Sequence, residues 1–446
     1  MADSKMKMSS NLHIAMFPWL AFGHFIPYLH LSNKLAERGC RISFLLPKGV
    51  EAKLAKLNRF PNLIHFFPLT IPHVEGLPPG VETLSDIPIS LQSHLCTAMD
   101  QTRDQVQAIL GTIMPDFVFF DFSFWIPCLG RELGFKSVKY VIVCAALSVI
   151  SLVPSEKMMI RGMKCEEMIK KNESSVKPAV EFGSGISFYE RMHTAAEESD
   201  ALAYRTCYEI EAPFVDHLTQ HFSKPVLLTG PLLPEKAEAP LEEKWEKWLN
   251  KFQPGSVVFC AFGSQNMLQK DQFQELLFGF ELSGLPFLAA LSKPNDCSTI
   301  EEALPDGFEE RVQERGLIYG GWVPQEQILN HPSVGCFVSH GGSSSIWESM
   351  ASHCQIVLVP PSFDYDVHSM IMVEELKVAV EVKRQENGWI SKESLSNAIV
   401  SVTSPESEVG LMIKSNHARW RKFLLDKDMQ EAYVDTFIKN LHDLLH

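Results

Sequence analysis

Trp322–Tyr365, WVPQEQILNHPSVGCFVSHGGSSSIWESMASHCQIVLVPPSFDY, is the stretch whose reading decides the fold. A Trp opens a loop, and a short amphipathic segment follows. The apolar run Gly335–Ser339 then reads as a buried strand ending at His340. Two glycines and three serines lead into a helix carrying Glu348. A second apolar run, Gln355–Pro360, ends just before Asp364. Each polar group thus falls at the carboxyl end of a strand or the amino end of a helix. Open α/β sheets bind ligands at that rim. The pattern predicts a nucleotide-sugar site.

The rest of the chain supplies the context. Its 446 residues exceed one typical core, which predicts two domains. With 46% hydrophobic and 21% charged residues, the composition is that of a globular protein. A net charge of −14 argues against nucleic acid or an anionic membrane as partner. Ten cysteines are spread singly with no Cys-x-x-Cys pair, as expected of reduced thiols in a cytoplasmic protein. The amino-terminal MADSKMKMSSNLHIAMF has no apolar signal-peptide core. The longest apolar run, Val141–Val153, is too short to span a bilayer and reads as a buried strand running into a helix.

Apolar strands are expected at Leu12–Trp19, Arg41–Pro47, Leu63–Pro68 and Asp116–Phe122. Helices are expected at Phe25–Arg38 and Leu91–Met114. Such alternation predicts a doubly wound parallel sheet. His24 follows the first strand, and an imidazole is a side chain suited to act as a general base. A polar capping residue is the alternative reading. Asp121 lies at the end of the fourth strand, where an Asp–His pair would fix the imidazole tautomer. Glu197, Glu198 and Asp200 read as a solvated helix end. Glu156–Gly183 is polar and poorly periodic.

Gly230–Pro240, GPLLPEKAEAP, is the best linker. It divides the chain into domains 1–235 and 236–425. Ser256–Phe262 starts a second parallel sheet, ending in Gly263-Ser264, a turn able to hold an anion. The tail Lys414–His446 has helical periodicity, and a terminal helix from about 426 to 446 is expected to return to the first domain.

Within the opening stretch, Trp322 offers a face for a base to stack on, or else packs in a core. Gln325 can meet the polar edge of that base. The glycines before Ser343, Ser344 and Ser345 let backbone approach a ligand, and free helix amides suit a phosphate. Glu348 can accept from two ribose hydroxyls, or merely favour a helix start. Asp364-Tyr365-Asp366 contains an Asp-x-Asp. A metal is not expected there, because helix amides, Ser264 and His340 already face the diphosphate. Asp364 is better placed for sugar hydroxyls.

Trp322–Tyr365 is similar, without gaps, to the signature box of plant family-one UDP-dependent glycosyltransferases. Trp322, Pro324, Gln325, His331, Gly335, His340, Gly342, Ser345, Glu348, Pro360 and Asp364 carry the resemblance, with Gly23-His24, Asp121 and Phe262–Ser264 elsewhere. It implies the α/β GT-B architecture: two Rossmann-like doubly wound parallel-sheet domains facing across a cleft. It implies Trp322, Val323 and Gln325 at uridine, Glu348 at ribose, and Ser264, His340, Gly342, Ser343, Ser344 and Ser345 at diphosphate. Asp364 and Tyr365 would meet the sugar. His24, backed by Asp121, would deprotonate the acceptor in a one-step inverting transfer. Acceptor contacts are expected from first-domain loops around Phe122, Phe124, Trp125, Val143–Ser148 and Met158–Met168, with Phe122, Trp125 and Val143 foremost. A UDP-sugar co-substrate, no cofactor, no metal and a monomeric state follow.

Two departures from the family stand out. The residues after His340 are Gly-Gly-Ser-Ser-Ser rather than Cys-Gly-Trp-Asn-Ser. Tyr365 replaces the usual Gln or His, and its bulk would favour xylose, arabinose or rhamnose. The phrases SVGCFVSH, IWESMASHCQIVLVP and EELKVAVEV resemble the branch that adds a sugar to flavonoid, anthocyanin or terpenoid glycosides. An aglycone O-glucosyltransferase and a non-catalytic UDP-sugar binder are the alternatives.

Overall fold

The computed structural model describes residues 11–153, 159–160, 163–164, 181–233, 240–263, 268–294, 296–361 and 363–446. Ser264 and most of Glu156–Gly183 and of the expected linker lie outside these. The chain divides into two compact units: one runs to Leu232 and takes in Lys427–His446, and the other is Leu233–Asp426.

The first unit is built on His13–Phe17 (β1), Arg41–Pro47 (β2), Ile64–Leu69 (β3), Phe117–Phe120 (β4) and Lys136–Val141 (β5). A small antiparallel hairpin, Met159–Ile160 (β6) and Met163–Lys164 (β7), stands apart. Ala201–Tyr204 (β8) and Val226–Leu228 (β9) complete the main sheet. Its order is β3-β2-β1-β4-β5-β8-β9, and every neighbour pair is parallel. The direction of winding reverses between β1 and β4, which makes their carboxyl ends the topological switch point. Both strands are buried at every residue, so they read as solid apolar runs rather than alternating ones.

The second unit repeats the plan. Val257–Ala261 (β10), Phe287–Ala290 (β11), Gly316–Tyr319 (β12), Val334–Ser339 (β13), Gln355–Leu358 (β14) and Ala379–Glu381 (β15) form a parallel sheet in the order β12-β11-β10-β13-β14-β15. Its switch point lies between β10 and β13. At the start of that pair, a Cβ on Gly335 would sit 2.0 Å from the Gly255 carbonyl oxygen, so two backbones touch where only glycine fits.

One expected helix is two. Leu91–Met114 breaks into Gln92–Asp100 and Arg103–Ile113. Thr102 turns its hydroxyl back to the Met99 carbonyl at 2.6 Å, a side-chain bond that competes with helix continuation. The terminal helix expected from about 426 to 446 is Lys427–Leu445, and a separate helix, Glu408–Leu424, precedes it. The last helix packs on the first unit. There Arg38, buried, donates to Glu431 at 2.8 Å and Asp435 at 2.6 Å, and Phe437 meets Phe119 edge-on at 6.0 Å. The acidic cluster is not merely solvated: Asp200 accepts from the Ser137 amide and hydroxyl, both at 2.8 Å, and ties the start of β5. Among the described residues, no helix is long and apolar enough to cross a membrane.

Candidate functional site

In the first unit, His24 and Asp121 stand on either side of the switch point. His24 is the third residue of the Phe22–Ala36 helix that follows β1. The cap position belongs to Ala21, so His24 does not cap. Asp121 follows β4 directly. Because β1 and β4 pair in register, Phe17 opposite Phe120, the two side chains meet: His24 Nδ1 lies 2.7 Å from Asp121 Oδ2. The other carboxylate oxygen accepts the Phe122 amide at 2.7 Å. Asp121 is 5% exposed and His24 21% exposed, so the imidazole alone reaches solvent. With Nδ1–H given to a carboxylate, Nε2 is left as the acceptor, which a base requires.

The expected acceptor residues separate. Phe122 flanks the imidazole edge-on at 5.7 Å and stacks on Trp19 at 5.0 Å. Phe182 and Phe188 extend this wall, at 6.0 and 5.8 Å from Phe122. Sequence reasoning did not find these two, which lie at and beyond the edge of an aperiodic stretch. Val143 is partly buried beside the core. Trp125 is a correction. It is buried, packs on Phe17 at 5.8 Å, and spends its indole N–H on Asp100 at 3.0 Å, so it is framework and not acceptor lining.

In the second unit, β13 ends at Ser339, and His340 follows it. Gly341 takes the left-handed region at φ 87°, turning the chain into the Ser343–Ala351 helix. Gly342 sits at the helix cap and, lacking a side chain, makes no cap bond of its own to the first amides. Those amides and the positive end of the helix dipole are an anion seat. A Cβ on Gly342 would come within 2.4 Å of His340 Nε2. His340 is buried, and burial lowers it to about 4, so at neutral pH it is uncharged. It can give or take one hydrogen bond at that seat and adds no positive charge. Tyr365 closes over it, ring to ring at 5.2 Å.

Trp322 is 80% exposed, which excludes the core-packing alternative. The Val323 side chain is buried with Ile328, Leu329 and Phe337, so it is the backbone of this residue that can face a ligand. Gln325 donates to Glu348 at 2.7 Å and to Ser345 at 3.1 Å, bringing three expected residues into one cluster. Glu348 is the sixth residue of its helix, past the first turn, so favouring the helix start does not account for it. Ser343 and Ser344 occupy that first turn. Asp364 is the second residue of the Phe363–Met370 helix, and its side chain, like Ser264, lies outside the described residues.

A sequence model of the family described as UDP-glucoronosyl and UDP-glucosyl transferase matches residues 221–417. UDP-glycosyltransferase 79B6 of Arabidopsis thaliana is 48% identical over 98% of this chain and 99% of its own. The chain belongs to the plant family-one UDP-glycosyltransferases. Another relative of this glycosyltransferase, named anthocyanidin 3-O-glucoside 2'''-O-xylosyltransferase, also from Arabidopsis thaliana, is 49% identical over 98% of both chains. UDP-glucosyl transferase 79L3 of Saponaria officinalis is 46% identical over 98% and 99%. Among solved structures, Arabidopsis thaliana UGT89C1 complexed with UDP-L-rhamnose superposes with a TM-score of 0.79 at 23% identity, over 97% of this chain and 99% of that one. That likeness bears on the fold alone, and with the two parallel sheets it makes the architecture GT-B.

Proposed function

We propose that this UDP-glycosyltransferase transfers a sugar, with inversion and without a metal, onto a sugar hydroxyl of a flavonoid or terpenoid glycoside. The observation that carries the reading is the 2.7 Å His24–Asp121 pair at the first sheet's switch point. A protein that only bound UDP-sugar would need no base. His24 takes the acceptor proton at Nε2 while Asp121 steadies the imidazolium. The acceptor oxygen attacks the anomeric carbon, the bond to the diphosphate breaks, and UDP leaves with its electron pair. The amides at Ser343–Ser345, His340 and Ser264 would receive the charge that develops on the diphosphate. Trp322 would stack on uracil, with the Val323 backbone and Gln325 beside it, and Glu348 would take the ribose hydroxyls. Asp366 lies 3.5 Å from Arg384, which supports a metal-free Asp-x-Asp.

Tyr365 over His340 fills space that a Gln would leave open, and we take the donor to be a pentose or deoxyhexose, UDP-xylose first. The xylosyltransferase relative supports this choice. Among the described residues nine cysteines stand outside disulfides and eight of them are buried, in keeping with a protein working in the reducing cytoplasm; we take it to be a monomer. The test is a matrix of UDP-xylose, UDP-arabinose, UDP-rhamnose and UDP-glucose against flavonols and their 3-O-glucosides, read by mass spectrometry. Xylosylated glucosides are expected. Glucosylated aglycones as the main product would replace this reading with the aglycone glucosyltransferase.

A further inference from the structure

One buried cation gathers the loops around the His24–Asp121 pair. Arg191, in the Phe188–Glu198 helix, has no exposed surface. Its guanidinium has five N–H donors, and all five are used. Nε donates to the Phe182 carbonyl at 3.1 Å. Nη1 donates to Asp100 at 2.9 Å and the Phe122 carbonyl at 3.1 Å. Nη2 donates to Asp100 at 2.6 Å and the Gly183 carbonyl at 3.1 Å. Asp100 is filled in turn, its remaining positions taken by Trp125 Nε1 at 3.0 Å and the Ser184 hydroxyl at 2.6 Å.

A fork with every donor satisfied escapes the penalty of a buried unpaired charge, and only a planar guanidinium reaches these acceptors at once. Its contacts are chosen in a telling way. Two loops are held: one carries Asp121-Phe122, the other Phe182-Gly183. Phe122 is gripped from both ends. Its carbonyl accepts from Arg191, and its amide donates to Asp121 Oδ1, whose other oxygen meets His24. Phe122 and Phe182 are also two rings of the wall beside the imidazole.

We propose that Arg191, locked by Asp100, is a positioning residue that sets the Asp121 carboxylate against His24 and the aromatic wall beside it. The inference rests on the reading of His24 as base. A guanidinium that merely stabilised a core would do so through any acceptors. This one is bonded one peptide away from the general base's partner.

The test uses the full chain with Arg191→Lys, and Trp125→Phe as a milder variant that removes one donor from Asp100. Melting temperature and UDP affinity by calorimetry report the fold. The low-field imidazole proton of the His24–Asp121 bond, assigned by its absence in His24→Ala, reports the geometry without turnover. Arg191→Lys is expected to bind UDP like the wild type, lose or shift that proton, and lower kcat about tenfold or more, since small misplacements are costly. In an Asp121→Asn background the same change should cost less than twofold, because the two act through one imidazole. An unchanged proton, or effects that multiply in the double variant, overturns the proposal. If Arg191→Lys does not fold, Trp125→Phe is judged by the same proton: a shift supports the proposal and no shift overturns it. A wild type that shows the expected proton behaviour and no transferase activity would remove the functional reading and leave the positioning role standing.

Discussion

Asp121→Asn is the substitution from which the geometry demands most. The carboxylate does two jobs with two oxygens: it accepts the Phe122 amide at 2.7 Å and faces His24 Nδ1 at 2.7 Å. An asparagine has one oxygen. Keeping the Phe122 bond turns the amide NH₂ toward Nδ1, which forces the imidazole proton onto Nε2 and removes the base's lone pair. Turning the amide over sets its NH₂ against the Phe122 N–H, two donors face to face on a residue 5% exposed. Leaving that donor unpaired costs about 1–3 kcal/mol, so the first arrangement wins and the wrong tautomer is populated. Loss of general-base catalysis removes a factor of about 10²–10⁴, or roughly 2.7–5.5 kcal/mol of barrier lowering. The assay is UDP release from UDP-xylose with a flavonol 3-O-glucoside, with UDP affinity measured separately. The expected result is kcat down by that factor with UDP binding unchanged. A kcat within threefold of the wild type would refute the chain of reasoning.

Trp322→Ala should leave the melting temperature unchanged, because the ring is 80% exposed, and raise the donor KM about 5–150-fold, the worth of one lost base stack. An unchanged donor KM would contradict stacking. Gly335→Ala drives a Cβ onto the Gly255 carbonyl and should cost about 1–3 kcal/mol, seen as a lower urea midpoint; a neutral effect would mean that the strand start can shift. Burial lowers His340 and His417 to about 4, below the ordinary 6.5. The unfolded chain therefore binds more protons between those values. The stability these neutral imidazoles contribute is complete above pH 6.5 and is lost as pH falls through about 4. Urea midpoints that do not change from pH 7 to 4.5 would count against it, and His417→Gln should flatten part of the slope.

Much of this architecture is written locally. Arg41–Pro47 is legible to the residue, because a solid apolar run between turn residues has one reading. The His24–Asp121 pair is legible because both follow apolar strands, although their adjacency depends on a β1–β4 pairing that no local pattern encodes. Lys136–Val141 was hidden by its own lysines. Lys139 lies inside that strand, fully buried, donating to the Met192 carbonyl at 2.7 Å, and burial lowers it to about 7. Tertiary context made a lysine a strand residue. Trp125 was misassigned for a related reason: a large apolar residue beside a site looks the same in sequence whether it faces ligand or core. Arg191 was invisible because its partners are scattered across residues 100, 122, 182 and 183.

The last helix belongs to the first unit, and this fixes an order of events at the ribosome. A nascent chain that has reached Leu232 holds all seven strands of its first sheet, yet lacks Val434, Phe437, Ile438 and Leu441, which fill that unit's core, and the acids that neutralise Arg38. The second unit, an uninterrupted segment, is synthesised whole in the meantime. The unit made first is therefore finished last. Through nearly half of translation it carries an open apolar face, and a ribosome that stops before Lys427 leaves behind one complete unit and one that is not.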